Sequence, residues 1–172
     1  MGVQEAQNCR DDYLESMPSN IITKSQTRPI FEVLGGIGFL TLGCAIYLLF
    51  RSETLNIYQW ANAVGFSESI DSLRDTVQEW RIPNFVRFSL PDGLYCAAYI
   101  LMMDAIWHKD KGFIKYAVIS IVPIVTISSE ILQYFGLVRG TFDVYDLICY
   151  TIPPMIYLIY IFNSLKFNNL KF

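Results

Sequence analysis

Charge is scarce in this chain. Only 17% of its 172 residues are Asp, Glu, Lys or Arg, against about 25% in soluble domains. The shortfall is gathered into long uncharged runs, which is how membrane segments are built. A basic excess is missing as well. The formal net charge is −3, and no basic stripe with interleaved aromatics argues for a nucleic-acid partner. There is a single histidine, His108, so no Ser–His, Cys–His or HExxH constellation suggests itself. The four cysteines, Cys9, Cys44, Cys96 and Cys149, form no CxxC pair. A disulfide framework or thiolate metal site is therefore not expected, and neither metal nor cofactor is assigned. No repeat, low-complexity tract or linker divides the chain, so one compact unit is expected.

What remains is apolar. Hydrophobic residues make up 53% of the chain and aromatics 15%. Four spans are readable, at about residues 31–50, 90–107, 113–135 and 147–162. The first carries one charge, Glu32. The second is short and contains Asp92 and Asp104; its eighteen residues reach about 27 Å, just enough to cross. Four spans cannot close a barrel, so they must be helices. The expected fold is all-α: a four-helix transmembrane bundle at 31–163. A polar N-terminal tail precedes it at 1–30, and a short tail follows at 164–172. A polar leader followed by a span-length run is not the layout of a cleaved signal peptide.

Residues 51–89 form a long connection with its own pattern. Ile70, Leu73, Val77 and Trp80 recur at spacings of three and four, while Asp71, Arg74, Asp75 and Glu79 are assigned to the opposite face. That predicts an amphipathic helix on the membrane surface or over the bundle. Tyr58 and Trp60 suit the headgroup zone. All six lysines fall beside one set of span ends, with Arg51, Arg74, Arg81, Arg87 and Arg139 on the other. By the positive-inside rule both termini are expected in the cytoplasm and the 51–89 segment outside.

The densest chemistry lies at residues 130–146, EILQYFGLVRGTFDVYD. Glu130 and Gln133, three apart near the end of the third span, share a helical face. Gly136 can end that helix. Arg139 can reach back to Glu130 or forward to Asp143. Asp143 and Asp146 flank the start of the fourth span, where an acid can cap free amides and favour the positive dipole end. Ser89-Leu90-Pro91-Asp92 reads as another helix start, with Ser89 capping. Given the span directions, Asp92, Glu130, Gln133, Arg139, Asp143 and Asp146 all approach one membrane boundary. Ionisable groups there need partners or a task. At the opposite boundary, Asp104 and His108 are four apart and form an expected ion pair.

E-x-x-Q at a span end, followed by R-G-T-F-D-x-x-D entering the next span, with LPDGLY entering the second, resembles the VanZ-like family of bacterial membrane proteins. The likeness covers roughly residues 83–162. It implies that Asp92, Glu130, Gln133, Arg139, Asp143 and Asp146 are the polar positions. It also implies a place in the bacterial cytoplasmic membrane and, by its named member, a link to resistance to the glycopeptide teicoplanin. Where the family has an Asn and glycines early in the last span, this chain has Tyr150-Thr151-Ile152-Pro153-Pro154.

Three functions fit these residues. The polar cluster would bind a lipid headgroup, cell-wall precursor or glycopeptide, with Arg139 on an anion. Alternatively, Glu130 or Asp92 would be a general base in an enzyme acting on a lipid-linked substrate, the other acids holding a divalent metal. In a third reading the cluster is a polar lock between spans, with no ligand.

Overall fold

The computed structural model describes residues 19–51, 56–77, 80–110 and 112–169. It is all-helical, with no strand among those residues. In chain order the helices are α1 (Ser19–Phe50), α2 (Asn56–Ala63), α3 (Ser67–Val77), α4 (Asn84–Phe88), α5 (Leu90–Ile106), α6 (Phe113–Tyr134) and α7 (Val144–Asn169). Of the expected tails, residues 1–18 and 170–172 lie outside the described residues, as do Cys9 and Glu79, and the remainder is helical. Three stretches are long and apolar enough to cross a membrane: Thr27–Phe50, Phe113–Tyr134 and Val144–Ser164. The first helix starts at Ser19 rather than Phe31, and the last runs on to Asn169. Helical structure continues past the apolar run wherever nothing stops it.

The short helix α5 is the hub. Its 17 residues reach only about 26 Å, and it packs against α1, α6 and α7. Pro91, Gly93, Cys96, Ala98, Ile100, Asp104 and Ala105 are buried on it. The longer helices instead turn many large side chains outward, among them Phe31, Ile124 and Ile156. A helix enclosed by others can carry two aspartates, because its polar groups meet protein rather than hydrocarbon.

Small residues set the helix spacing. A Cβ on Gly36 would lie 2.9 Å from Met102 Cγ, and one on Gly43 would lie 2.8 Å from the Tyr95 ring. These two glycines, seven apart, form the α1 seam against α5. Between α5 and α7 the pattern is complementary. Pro153 and Pro154 cannot donate to the carbonyls four residues back, which frees those of Cys149 and Tyr150. The Cys96 thiol donates to the Tyr150 carbonyl at 3.9 Å. Gly93 brings its backbone so close that a Cβ there would sit 2.9 Å from the Cys149 carbonyl. Helix α7 contains no glycine, and the close approach is made by Gly93 from the facing helix.

The amphipathic prediction for 70–80 is half met. Helix α3 forms and packs on α1, but Trp80 lies beyond its end. Leu73 is 56% exposed, while Ile70 is buried. The inward side is Ile70, Arg74 and Val77, spaced by four and three. Arg74 therefore belongs to the inner face, not the outer one. Its Nε donates to the Leu48 carbonyl at 2.8 Å, and Nη2 donates to that of Arg51. A guanidinium there satisfies carbonyls that the end of α1 leaves open.

Candidate functional site

The loop after α6 closes as the glycine suggests. Gly136 has φ +69°. Its N–H donates to the Gln133 carbonyl, and that of Leu137 to Leu132, each at 2.9 Å. This paired ending needs a left-handed residue. Phe142 then meets Tyr134 edge-on at 5.2 Å, and Tyr145 stacks on Phe85 at 6.1 Å. These rings set the start of α7 beside α4 and the end of α6.

Four of the six expected residues converge there. Glu130 lies within electrostatic reach of Asp92, Asp143 and Asp146, and Asp92 within reach of Asp146. Glu130 is buried and accepts the Asp143 N–H at 3.4 Å. Asp143 caps α7, its Oδ1 accepting the Tyr145 N–H at 2.8 Å. Asp92 accepts the Tyr47 hydroxyl at 3.2 Å, and Tyr150 lies within reach of Asp92, Asp146 and Glu130.

The other two residues sit elsewhere. Gln133 is half-buried against Gly140, where a Cβ would lie 2.7 Å from the Gln133 side-chain carbon. It shapes the loop rather than meeting the acids. Arg139 is exposed in that loop and has no ion pair among the described residues. The loop turns it outward before the chain enters α7, so the expected reach to Glu130 or Asp143 is not made. The cation beside the acids is Arg51, at the end of α1. Its Nη1 donates to the Tyr47 hydroxyl at 3.1 Å, and its charge reaches Asp92. Tyr47 and Arg51, spaced i, i+4 at a span end, were the available sequence signal.

Ser89 corrects another expectation. It precedes α5 with helical angles (φ −100°, ψ −36°) and makes no side-chain cap bond. Helix α4 runs almost directly into α5, so Ser89 never adopts the extended conformation a cap requires. Its Oγ is buried without a hydrogen-bond partner, as are Arg51 Nε and Asp146 Oδ1. Among the described residues only one other side-chain atom shares that condition, Glu32 Oε2. Three of these four atoms stand at this end, and Glu32 Oε2 belongs to the other. No group of three or more His, Cys, Asp or Glu among the described residues is arranged to hold a metal.

The opposite boundary holds a second cluster, and the expected Asp104–His108 pair is not in it. His108 Nδ1 lies 3.1 Å from the Ala105 carbonyl, and its side chain is exposed. Asp104 is buried and faces the other way. It meets Lys115 Nζ at 2.6 Å, Arg28 Nη2 at 2.9 Å and the Tyr157 hydroxyl at 2.7 Å. Arg28 also pairs with Glu32 at 2.7 Å and lies over the Tyr160 ring at 5.1 Å. One turn of α5 separates Asp104 from His108, but the bundle interior lies toward α1, α6 and α7. The overlooked signal was a carboxylate inside an apolar run, which demands a partner.

Compared with family models, curated proteins and solved structures, the chain matches none.

Proposed function

We propose that the chain is a four-span protein of the bacterial cytoplasmic membrane, similar to the VanZ-like family. In this reading α5 is the fourth span, both termini are cytoplasmic, and the Asp92–Asp146 cluster faces out. It binds the polar head of an envelope molecule: a lipid headgroup, a cell-wall precursor or a glycopeptide. The observation that carries the reading is the unspent polarity at one end of the bundle. Asp92, Asp143 and Asp146 gather around Glu130, with Arg51 beside Asp92, and Ser89 Oγ, Arg51 Nε and Asp146 Oδ1 lack protein partners. Buried polar atoms without partners cost about 1–3 kcal/mol each, and a bound head supplies what they lack. An excess of acids selects ligands rich in hydroxyl or ammonium groups.

The test uses full-length protein in nanodiscs, titrated with an ammonium-headed lipid such as phosphatidylethanolamine and with a teicoplanin-type glycopeptide. Saturable binding to either that is lost in Asp146→Asn and Asp92→Asn supports the reading. No saturable binding to either, or binding unchanged in both variants, removes it.

The polar-lock reading also has an observation behind it, but at the other boundary. Asp104, Lys115, Arg28 and Tyr157 join α1, α5, α6 and α7 by direct bonds. That cluster is the lock, and the acidic one is the site.

A further inference from the structure

A polar pocket of about 610 Å³ lies over the C-terminal end of α1, beneath α3. Arg51, Arg74, Arg81 and Arg87 line it, with Asp71 and Asp75. The simplest role for these arginines is to cap helix α1. Arg74 donates to the Leu48 and Arg51 carbonyls, and Arg87 to that of Phe50. Magnitudes show that capping does not use up the charge. A helix C-terminus presents about half a negative charge. Arg74 is held by those carbonyls and Arg51 by the Tyr47 hydroxyl, so the lining cations that can turn to a ligand are Arg81 and Arg87, both exposed. Asp71 is also partly engaged, accepting the Tyr58 hydroxyl at 2.6 Å. Arg81 is exposed and makes no bond to protein among the described residues.

The surroundings narrow the ligand. The pocket opens where the apolar stretch of α1 ends at Phe50, which is where headgroup phosphates lie. Trp80, Val77 and Ile82 supply an apolar wall beside the arginines, so one side suits an attached hydrocarbon. Planar guanidiniums match phosphate oxygens two at a time. We infer that this pocket is an anion site that takes a phosphate or pyrophosphate group, carried by a lipid or free in solution. The pocket shares Arg51 with the acidic cluster, but it is tested at Arg81 and Arg87 rather than at Asp92 or Asp146, and its ligand has the opposite charge.

The experiment titrates detergent-solubilised full-length protein with inorganic pyrophosphate by calorimetry. In parallel, phosphatidylglycerol is added to phosphatidylcholine nanodiscs and the melting midpoint is followed. Saturable binding is expected in at least one arm, weakened about tenfold or more in Arg81→Glu, as expected for loss of a charge-assisted contact. Arg87→Gln, with circular dichroism to check folding, should weaken it as well. Arg139→Glu makes the same change in net charge at an exposed loop and should leave binding intact. Binding in both arms means that the free group suffices, whereas binding in the nanodisc arm alone assigns a lipid. No saturable binding in either arm overturns the inference. So does an equal loss in Arg81→Glu and Arg139→Glu, which would reduce it to net charge.

Discussion

The two ends of the bundle are built from similar residues to opposite effect. At one end, two cations, Arg28 and Lys115, meet two acids, Glu32 and Asp104, and the Tyr157 hydroxyl joins Asp104, leaving Glu32 Oε2 as the one buried side-chain atom there without a partner among the described residues. Bonds there are short, and the Asp104 and Lys115 side chains are only 5% and 9% exposed. At the other end, Glu130 gathers with Asp92, Asp143 and Asp146, with Arg51 beside Asp92, the Asp143 N–H reaches Glu130 only at 3.4 Å, and three buried polar atoms go unpartnered. A satisfied network rigidifies a fold, whereas a partly satisfied one costs stability and is retained only for another use. That contrast is the ground for proposing that the first end holds the helices and the second binds.

The largest break of that contrast is expected at Asp104. Removing one partner of a buried pair leaves the other charge exposed to a low dielectric, at a cost of about 3–5 kcal/mol. Asp104→Ala should lower unfolding stability in detergent by that order, with Lys115 stranded. The double change Asp104→Leu with Lys115→Met should recover much of it, because well-packed apolar groups replace a buried ion pair at little cost. Next comes Gly93→Val. Its side chain would enter the Cys149 carbonyl, and such overpacking costs about 1–3 kcal/mol. A lowered melting midpoint with unchanged helix content would show that α5 and α7 have been wedged apart.

At the acidic end, Asp92→Asn should change stability by less than about 1 kcal/mol, or raise it, because it relieves like-charge repulsion among the carboxylates. Its mark should be lost binding. Smallest of all is Arg139→Ala, expected within about 0.5 kcal/mol as an exposed substitution, with binding preserved. A large loss of binding there would return Arg139 to the site and redraw the cluster.

Much of this was legible in the sequence, for physical reasons. Hydropathy runs marked α1, α6 and α7, and Gly136 marked the end of α6, because each signal is local. Acids placed at span ends pointed to the convergence of Asp92, Glu130, Asp143 and Asp146. The cations were harder. Arg139 is near these acids in the chain, but the loop carries it outward. Arg51 is far from them in the chain, and α1 brings it alongside. Asp104 was assigned to His108 by helical spacing alone; which face of α5 is buried depends on three other helices. Ser89 shows the same limit: its capping pattern is correct, but α4 running into α5 overrides it.

The central claim is that one polar cluster holds the helices and the other awaits a ligand. Unfolding free energies of Asp104→Asn and Asp146→Asn, measured side by side in one detergent without added lipid, test it most directly. The account predicts a loss of several kcal/mol for Asp104→Asn and a change under about 1 kcal/mol, or a gain, for Asp146→Asn. Equal losses, or the reverse order, would contradict it.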